Sequence, residues 1–212
     1  MGKTSRFGPL LGVVFAVLLF LAANVGSTPD TDKPAKWADF YSKHSNQVQV
    51  LVSAYLFILA GLALLGFLCV LRTRMDGKMP AFAFVSGAVA AGGLCITGGL
   101  YGGVAGDILF GNTHVVPSAE LADYLTSTAF GVFLASSMLP LAFSLLSLGM
   151  AAIRTRVLSL WIGWFAVVTG VVTLFSVLWL PLVVLLAFLL VVGVALTVQK
   201  PKESAATPAG AV

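Results

Sequence analysis

Charge is the scarcest property of this sequence. Its 212 residues include 12 Lys and Arg, 8 Asp and Glu and 2 His, so charged residues make up 9% against 59% apolar ones. Soluble domains carry about 25% charged residues. A soluble globular domain is therefore excluded, and with it a disordered or nucleic-acid-binding chain. The net charge of +4 is a small excess on few charges rather than a basic patch. Cysteine is nearly absent as well. Cys69 and Cys95 cannot build a disulfide framework, and each reads as a small buried apolar residue inside an apolar run. No Cys/His spacing suggests zinc or haem, so neither a metal nor another cofactor is expected. Gly-x-Ser-x-Gly, HExxH and paired carboxylates within an apolar run are all missing, which leaves catalysis without residues and argues against an enzyme.

What the chain has is long apolar runs. A bilayer core about 30 Å thick needs roughly 20 apolar residues as helix. Runs fall at 9–25, 49–71, 80–106 and 121–153, and a last stretch without charge covers 158–198. As one helix that stretch would be about 60 Å long, twice the core thickness. Folding it back at Trp179-Leu180-Pro181 gives spans at 158–178 and 181–198, with Pro181 suited to the first turn of a new helix. The expected fold is an all-α, polytopic transmembrane bundle of six spans arranged as three hairpins. It forms one domain over 1–200, followed by a disordered tail over 201–212 that is rich in small residues.

Charge placement sets the orientation. With the N-terminus in the cytoplasm, the inner segments carry Lys3, Arg6, Arg72, Arg74, Lys78, Arg154, Arg156, Lys200 and Lys202, and the outer ones Lys33, Lys36 and Lys43. Short inner loops enriched in Lys and Arg are the signature of a cytoplasmic side, so both termini are expected there. Trp37 and Trp179 then fall near the outer surface, and Trp161 and Trp164 near the inner one, as aromatic belts require. Lys3 and Arg6 before the first run would also suit a signal peptide. Asn24-Val25-Gly26-Ser27 is a poor cleavage site, however, and the run reads as a retained span. The steps Leu71-Arg72-Thr73-Arg74-Met75 and Ile153-Arg154-Thr155-Arg156-Val157 read as two independent stop-transfer anchors in preference to an old duplication.

Three groups of residues stand out. The first lies in the third span, where Gly92, Gly98, Gly99, Gly102, Gly103 and Gly106 include three GxxxG pairs. Small residues at this spacing let helix backbones approach closely in lipid. That points to a central packing helix, with a homodimer face or a cavity lining as the other uses. The second is in the fourth span, where Pro140 should kink the helix. Ser136 or Ser137 would then hydrogen-bond the carbonyls it frees, as packing glue or as the wall of a small cavity. The third is an outer polar cluster of Asp107, His114, Glu120 and Asp123, with Asp39 and His44 nearby. Its residue types suit a cation or a proton, yet they are also what wet loops contain, and no spacing supports metal ligation. In the outer loop over 26–46, Asp32 is placed to cap a short helix. Trp37, Phe40, Tyr41 and His44 follow at i, i+3, i+4 and i+7, the stripe of one helix face. Such a helix would rest on the membrane surface or the hairpin tops, or act as a lid or docking surface. Ser118 followed by Glu120 reads as a further helix start.

One apolar span after a basic start, an outer Asp/Pro segment leading to Asp39-Phe40-Tyr41, a span ending at Arg72, and Leu158-Ser159-Leu160-Trp161-Ile162-Gly163-Trp164 opening the fifth span together resemble a group of six-span actinobacterial membrane proteins. That group is related in layout to integral membrane families of unknown function. The resemblance implies the plasma membrane of a bacterium and carries over no activity and no functional residue. Two readings follow. One is a non-catalytic plasma-membrane protein that works through partners, as a subunit or scaffold. Its partners would be the lipid bilayer and other membrane proteins, or a second copy bound through the Gly-rich third span. The other is a transporter or channel for a small neutral or apolar solute, with its path beside Gly99 and Ser136.

Overall fold

The computed structural model describes residues 10–26, 28–29, 34–73, 75, 77–111, 118–156, 159–175 and 179–198. Among these the chain is helical, with no strand. Its elements are α1 (Leu10–Val25), α2 (Pro34–Ser42), α3 (His44–Arg72), α4 (Lys78–Phe110), α5 (Ala119–Val132), a π-helical segment (Phe133–Met138), α6 (Leu139–Thr155), α7 (Leu160–Leu174) and α8 (Trp179–Val198). Helix is the expected solution for such a chain, because lipid offers no partner to backbone N–H and C=O groups. Among the described residues three helices are long and apolar enough to cross a membrane: α3, α4 and the continuous Ala119–Thr155, with 29, 33 and 37 residues. α1 and α7 are apolar but shorter, at 16 and 15 residues, roughly 24 and 22 Å at 1.5 Å per residue.

The helix ends follow local chemistry. The Ser118 hydroxyl accepts from Leu121 N at 3.3 Å, with Glu120 in the first turn of α5, so this start is where the capping pattern places it. The two Arg-Thr-Arg steps close α3 and α6 differently. Thr73 is αR, whereas Arg156 has φ 51° and ψ 22°. After Leu174 the chain leaves the helix at Phe175, and Trp179 already lies in α8. The interruption therefore comes earlier than Trp179-Leu180-Pro181. Pro181 sits in the opening turn of α8, where a missing N–H costs nothing.

Close contacts show how the helices run. Gly12 meets Phe67, and Ser53 Oγ donates to Ala22 O at 2.6 Å, so α1 and α3 are antiparallel. Gly61 lies on Ala91 and Gly98 on Ala54, which makes α3 and α4 antiparallel. Ser144 Oγ donates to Ala83 O at 2.7 Å while Gly93 lies on Ser136, so α4 opposes the π segment and α6. Gly149 meets Gly163 and Gly170 meets Ala142, setting α6 against α7. Phe165 stacks edge-on against Phe188 at 5.2 Å, and α8 also packs on α1.

One core runs through these helices, around Phe15, Leu19, Leu64, Leu94, Met138, Leu141, Ile162, Phe188 and Leu189. A second and smaller one, around Trp37, Tyr41, Val50, Val104, Ala105, Ile108 and Ala122, lies where α2 covers the ends of α3, α4 and α5. No charged residue is buried as a whole among the described residues, and Asp123 is half-buried. The antiparallel order gathers Arg72, Lys78, Arg154 and Arg156 at one end. Asp39, Asp107, Glu120 and Asp123 are gathered at the other, the end that α2 caps.

Several expectations need correction. Cys69 is exposed and Cys95 only partly buried. An apolar side chain on a lipid-facing helix has no water to avoid, so the soluble-protein rule for cysteine does not transfer. Trp37 is 2% exposed inside the α2 cap and so does not sit in a belt. Trp161 and Trp164 are exposed at the start of α7. The α2 stripe stops at Tyr41, because the chain bends at Lys43 and His44 begins α3. The Asp32 cap, His114 and the tail over 201–212 lie outside the described residues.

Candidate functional site

The six singled-out glycines separate into two sets on opposite sides of α4. A Cβ on Gly98 would stand 2.6 Å from Ala54 O, and one on Gly102 2.6 Å from Ala54 Cβ. These two let α3 approach α4 more closely than any side chain would allow. Gly92, Gly99, Gly103 and Gly106 meet nothing within 4 Å of such a Cβ, and Gly92, Gly99 and Gly103 are exposed. Their face continues through Val85, Val89, Ile96 and Phe110, which are 58%, 54%, 56% and 76% exposed. The positions 85, 89, 92, 96, 99, 103, 106 and 110 alternate steps of four and three. That is the period by which a helix keeps one seam toward a second helix.

The middle of the bundle is shaped by Pro140 and Gly93. Pro140 has no N–H, so the Ser136 carbonyl loses its α-helical donor. The helix answers with π turns over Phe133–Met138, in which Leu139 N reaches Leu134 O. The Ser136 carbonyl packs against Gly93 of α4. A Cβ on Gly93 would clash with its oxygen, with its carbon at 2.6 Å and with Ser137 Oγ at 2.7 Å. Gly93 is therefore the residue that admits the displaced backbone. Ser137 does not satisfy a freed carbonyl: its hydroxyl is fully buried and has no hydrogen-bond partner, and the Thr97 hydroxyl one turn along α4 has none either. Gly99 and Ser136 do not share a cavity, because Gly99 faces outward. Between α3, α6, α7 and α8 lies a void of about 10 Å³ bounded only by apolar side chains such as Phe67, Leu148, Ile162 and Phe188. It is at the lower limit for a single water, and its apolar walls offer such a water no hydrogen-bond partner.

At the capped end, α2 turns Trp37 and Tyr41 inward. Their rings are 6.1 Å apart and nearly parallel, and Phe40 meets Tyr41 edge-on at 5.2 Å. Side chains from the start of α3 hold α2 down. Gln47 Nε2 donates to Tyr41 O at 2.6 Å, and Asn46 Nδ2 donates to Phe40 O at 3.0 Å. Beneath, Tyr101 donates its hydroxyl to Gly26 O, and the Thr28 side chain hydrogen-bonds Tyr101 too. Burial pushes the Tyr41 phenol up to about 12, with Tyr101 adding a smaller push. Trp37 Nε1 and Asp123 Oδ1 are buried without partners.

The acidic residues at the end that α2 caps do not converge on a site among the described residues. Asp107 and Glu120 are exposed, and Asp39 is paired with Lys43 at 2.8 Å. Among the described residues no three His, Cys, Asp or Glu side chains group to hold a metal ion. Sequence reasoning missed the α6–α7 seam, where a Cβ on Gly149 would stand 2.7 Å from Gly163 O. Gly163, Ala166 and Gly170 carried its signal as small residues at helical spacing. It also missed Gly26, Ser53 and Tyr101, whose contacts cross long stretches of chain and leave no local pattern. No protein-family model, curated protein or solved structure matches this chain.

Proposed function

We propose that this chain is a non-catalytic, six-span protein of a bacterial plasma membrane that works by binding another membrane-embedded helix through the outward face of α4. The outward heptad seam carries this reading. Gly92, Gly99 and Gly103 give nothing to their own chain. In a helix each costs about 1 kcal/mol relative to Ala, and a lipid-facing glycine gains nothing from lipid. Flanked by Val85, Val89 and Ile96, these positions form the ridge and hollow into which a second helix fits. The partner is a second copy of this chain or another membrane protein. Six spans and cytoplasmic termini are supported by the charge pattern. α1 starts at the end holding Arg72, Lys78, Arg154 and Arg156. α8 runs antiparallel to α7 and finishes there, just before Lys200 and Lys202.

Purification in mild detergent with mass spectrometry of co-eluting proteins, alongside the mass of the particle itself, tests the reading. A specific partner or a dimer is expected, and G99L/G103L should abolish it while the chain stays folded. A monomer without partners overturns the reading. A second reading, a path for a small neutral solute, is favoured by the π segment and the unpartnered Ser137 and Thr97 hydroxyls. Solute flux in liposomes that is lost in S137A would establish it instead.

A further inference from the structure

A cavity of about 350 Å³ opens beside α2, on the face opposite Trp37 and Tyr41. Thr28, Lys36, Asp39, Phe40, Lys43 and Asn46 line it. Its chemistry is rich in donors. Lys36 and Lys43 bring two ammonium groups, Thr28 a hydroxyl, and Asn46 an amide that spends one N–H on Phe40 O. The one acid of this set, Asp39, is engaged by Lys43 at 2.8 Å, so these side chains sum to one positive charge. The cavity stands where α1 ends and α3 begins. Toward this end of the bundle α1 exposes Phe20 and Leu21, and α3 exposes Val48 and Val52.

We infer that this cavity holds the phosphate of an anionic phospholipid whose acyl chains lie along the exposed sides of α1 and α3. The inference rests on the reading of these helices as membrane spans, and it is independent of the α4 seam. One net charge in an open cavity is too little to hold a free phosphate against water and salt. A lipid brings its phosphate to the site already anchored in the bilayer, so its effective concentration is high. Lysines near a membrane surface each add a modest electrostatic attraction. Phe40 gives the glycerol backbone an apolar wall, and Asn46 and Thr28 supply neutral donors to phosphate oxygens.

The full-length chain, released from nanodiscs containing phosphatidylglycerol and phosphatidylcholine, tests this by native mass spectrometry. A photoactivatable phosphatidylglycerol then maps the contact. Phosphatidylglycerol is expected to be retained over phosphatidylcholine and to cross-link within residues 28–46. K36Q should weaken retention about fivefold and K36R should restore it. D39N, which releases Lys43 and removes the competing carboxylate, should strengthen it. Unchanged melting of K36Q serves as the fold control. Equal retention of both lipids, retention unaffected by K36Q, or cross-links confined to the opposite end each overturn the inference. Displacement of the lipid by inorganic phosphate at comparable concentration overturns the lipid as the source. Partner capture through α4 is read in a separate experiment, so either proposal can fail alone.

Discussion

Gly93 and Gly99 stand six residues apart on one helix, and their surroundings are opposite. Gly93 faces the backbone of Ser136 and has no room for a methyl group, whereas Gly99 faces open space. G93A should therefore destabilise the monomer by about 1–3 kcal/mol through overpacking. G99A should leave it unchanged or slightly stabilised, because alanine is the better helix former. Thermal unfolding in detergent at a monomeric concentration separates the two. The hydroxyls divide in the same way. Ser144 donates to Ala83 O across the α4–α6 seam, so S144A should cost about 0.6 kcal/mol, as interhelical hydrogen bonds in membranes do. Ser137 donates to nothing, so S137A should be neutral or stabilising, since it removes a buried polar group that lacks a partner.

At the scale of the element, α2 is the part that titrates. Its Tyr41 phenol is pushed up to about 12 by burial, so the folded state favours the protonated form. That contribution to docking is complete below pH 10, where the unfolded phenol is also protonated. It is lost as pH rises from about 10 through 12. Alkaline titration followed by tyrosinate absorbance should show α2 releasing over this window, and Y41F should remove one late-ionising tyrosine from the titration. The π segment makes a different prediction. P140A returns an N–H to the helix and gives the Ser136 carbonyl an α-helical donor. Amide exchange over 133–140 should slow, and the seam between Ser136 and Gly93 should loosen as the carbonyl withdraws.

For the whole molecule, the division of charge is the governing feature. Arginine and lysine close α3 and α6 and open α4 at one end. The described carboxylates all lie at the other, so the bundle carries a charge axis along its helices. Reporter tags fused to the two termini should give the same cytoplasmic signal. A chain with Arg154 and Arg156 replaced by Gln should lose part of that bias, because orientation follows the excess of Lys and Arg near span ends.

Much of this architecture is legible in the order of residues alone. The apolar runs require helices, because a backbone in lipid must satisfy its own hydrogen bonds. Their lengths and the uncharged stretch over 158–198 require an interruption, and Ser118 with Glu120 marks a helix start. These are local demands, set by the solvent and by neighbours in sequence. Which glycines pack inside and which face out is not legible, since Gly98 and Gly99 read alike in a row of small residues. Only the rotation of α4 against α3 and the π segment tells them apart, and that rotation depends on backbones that meet across dozens of residues. The burial of Trp37 is of the same kind. An aromatic stripe on α2 says that one face will be covered, but the ends of α3, α4 and α5 have to assemble beneath it before that cover is a protein core and not a lipid surface.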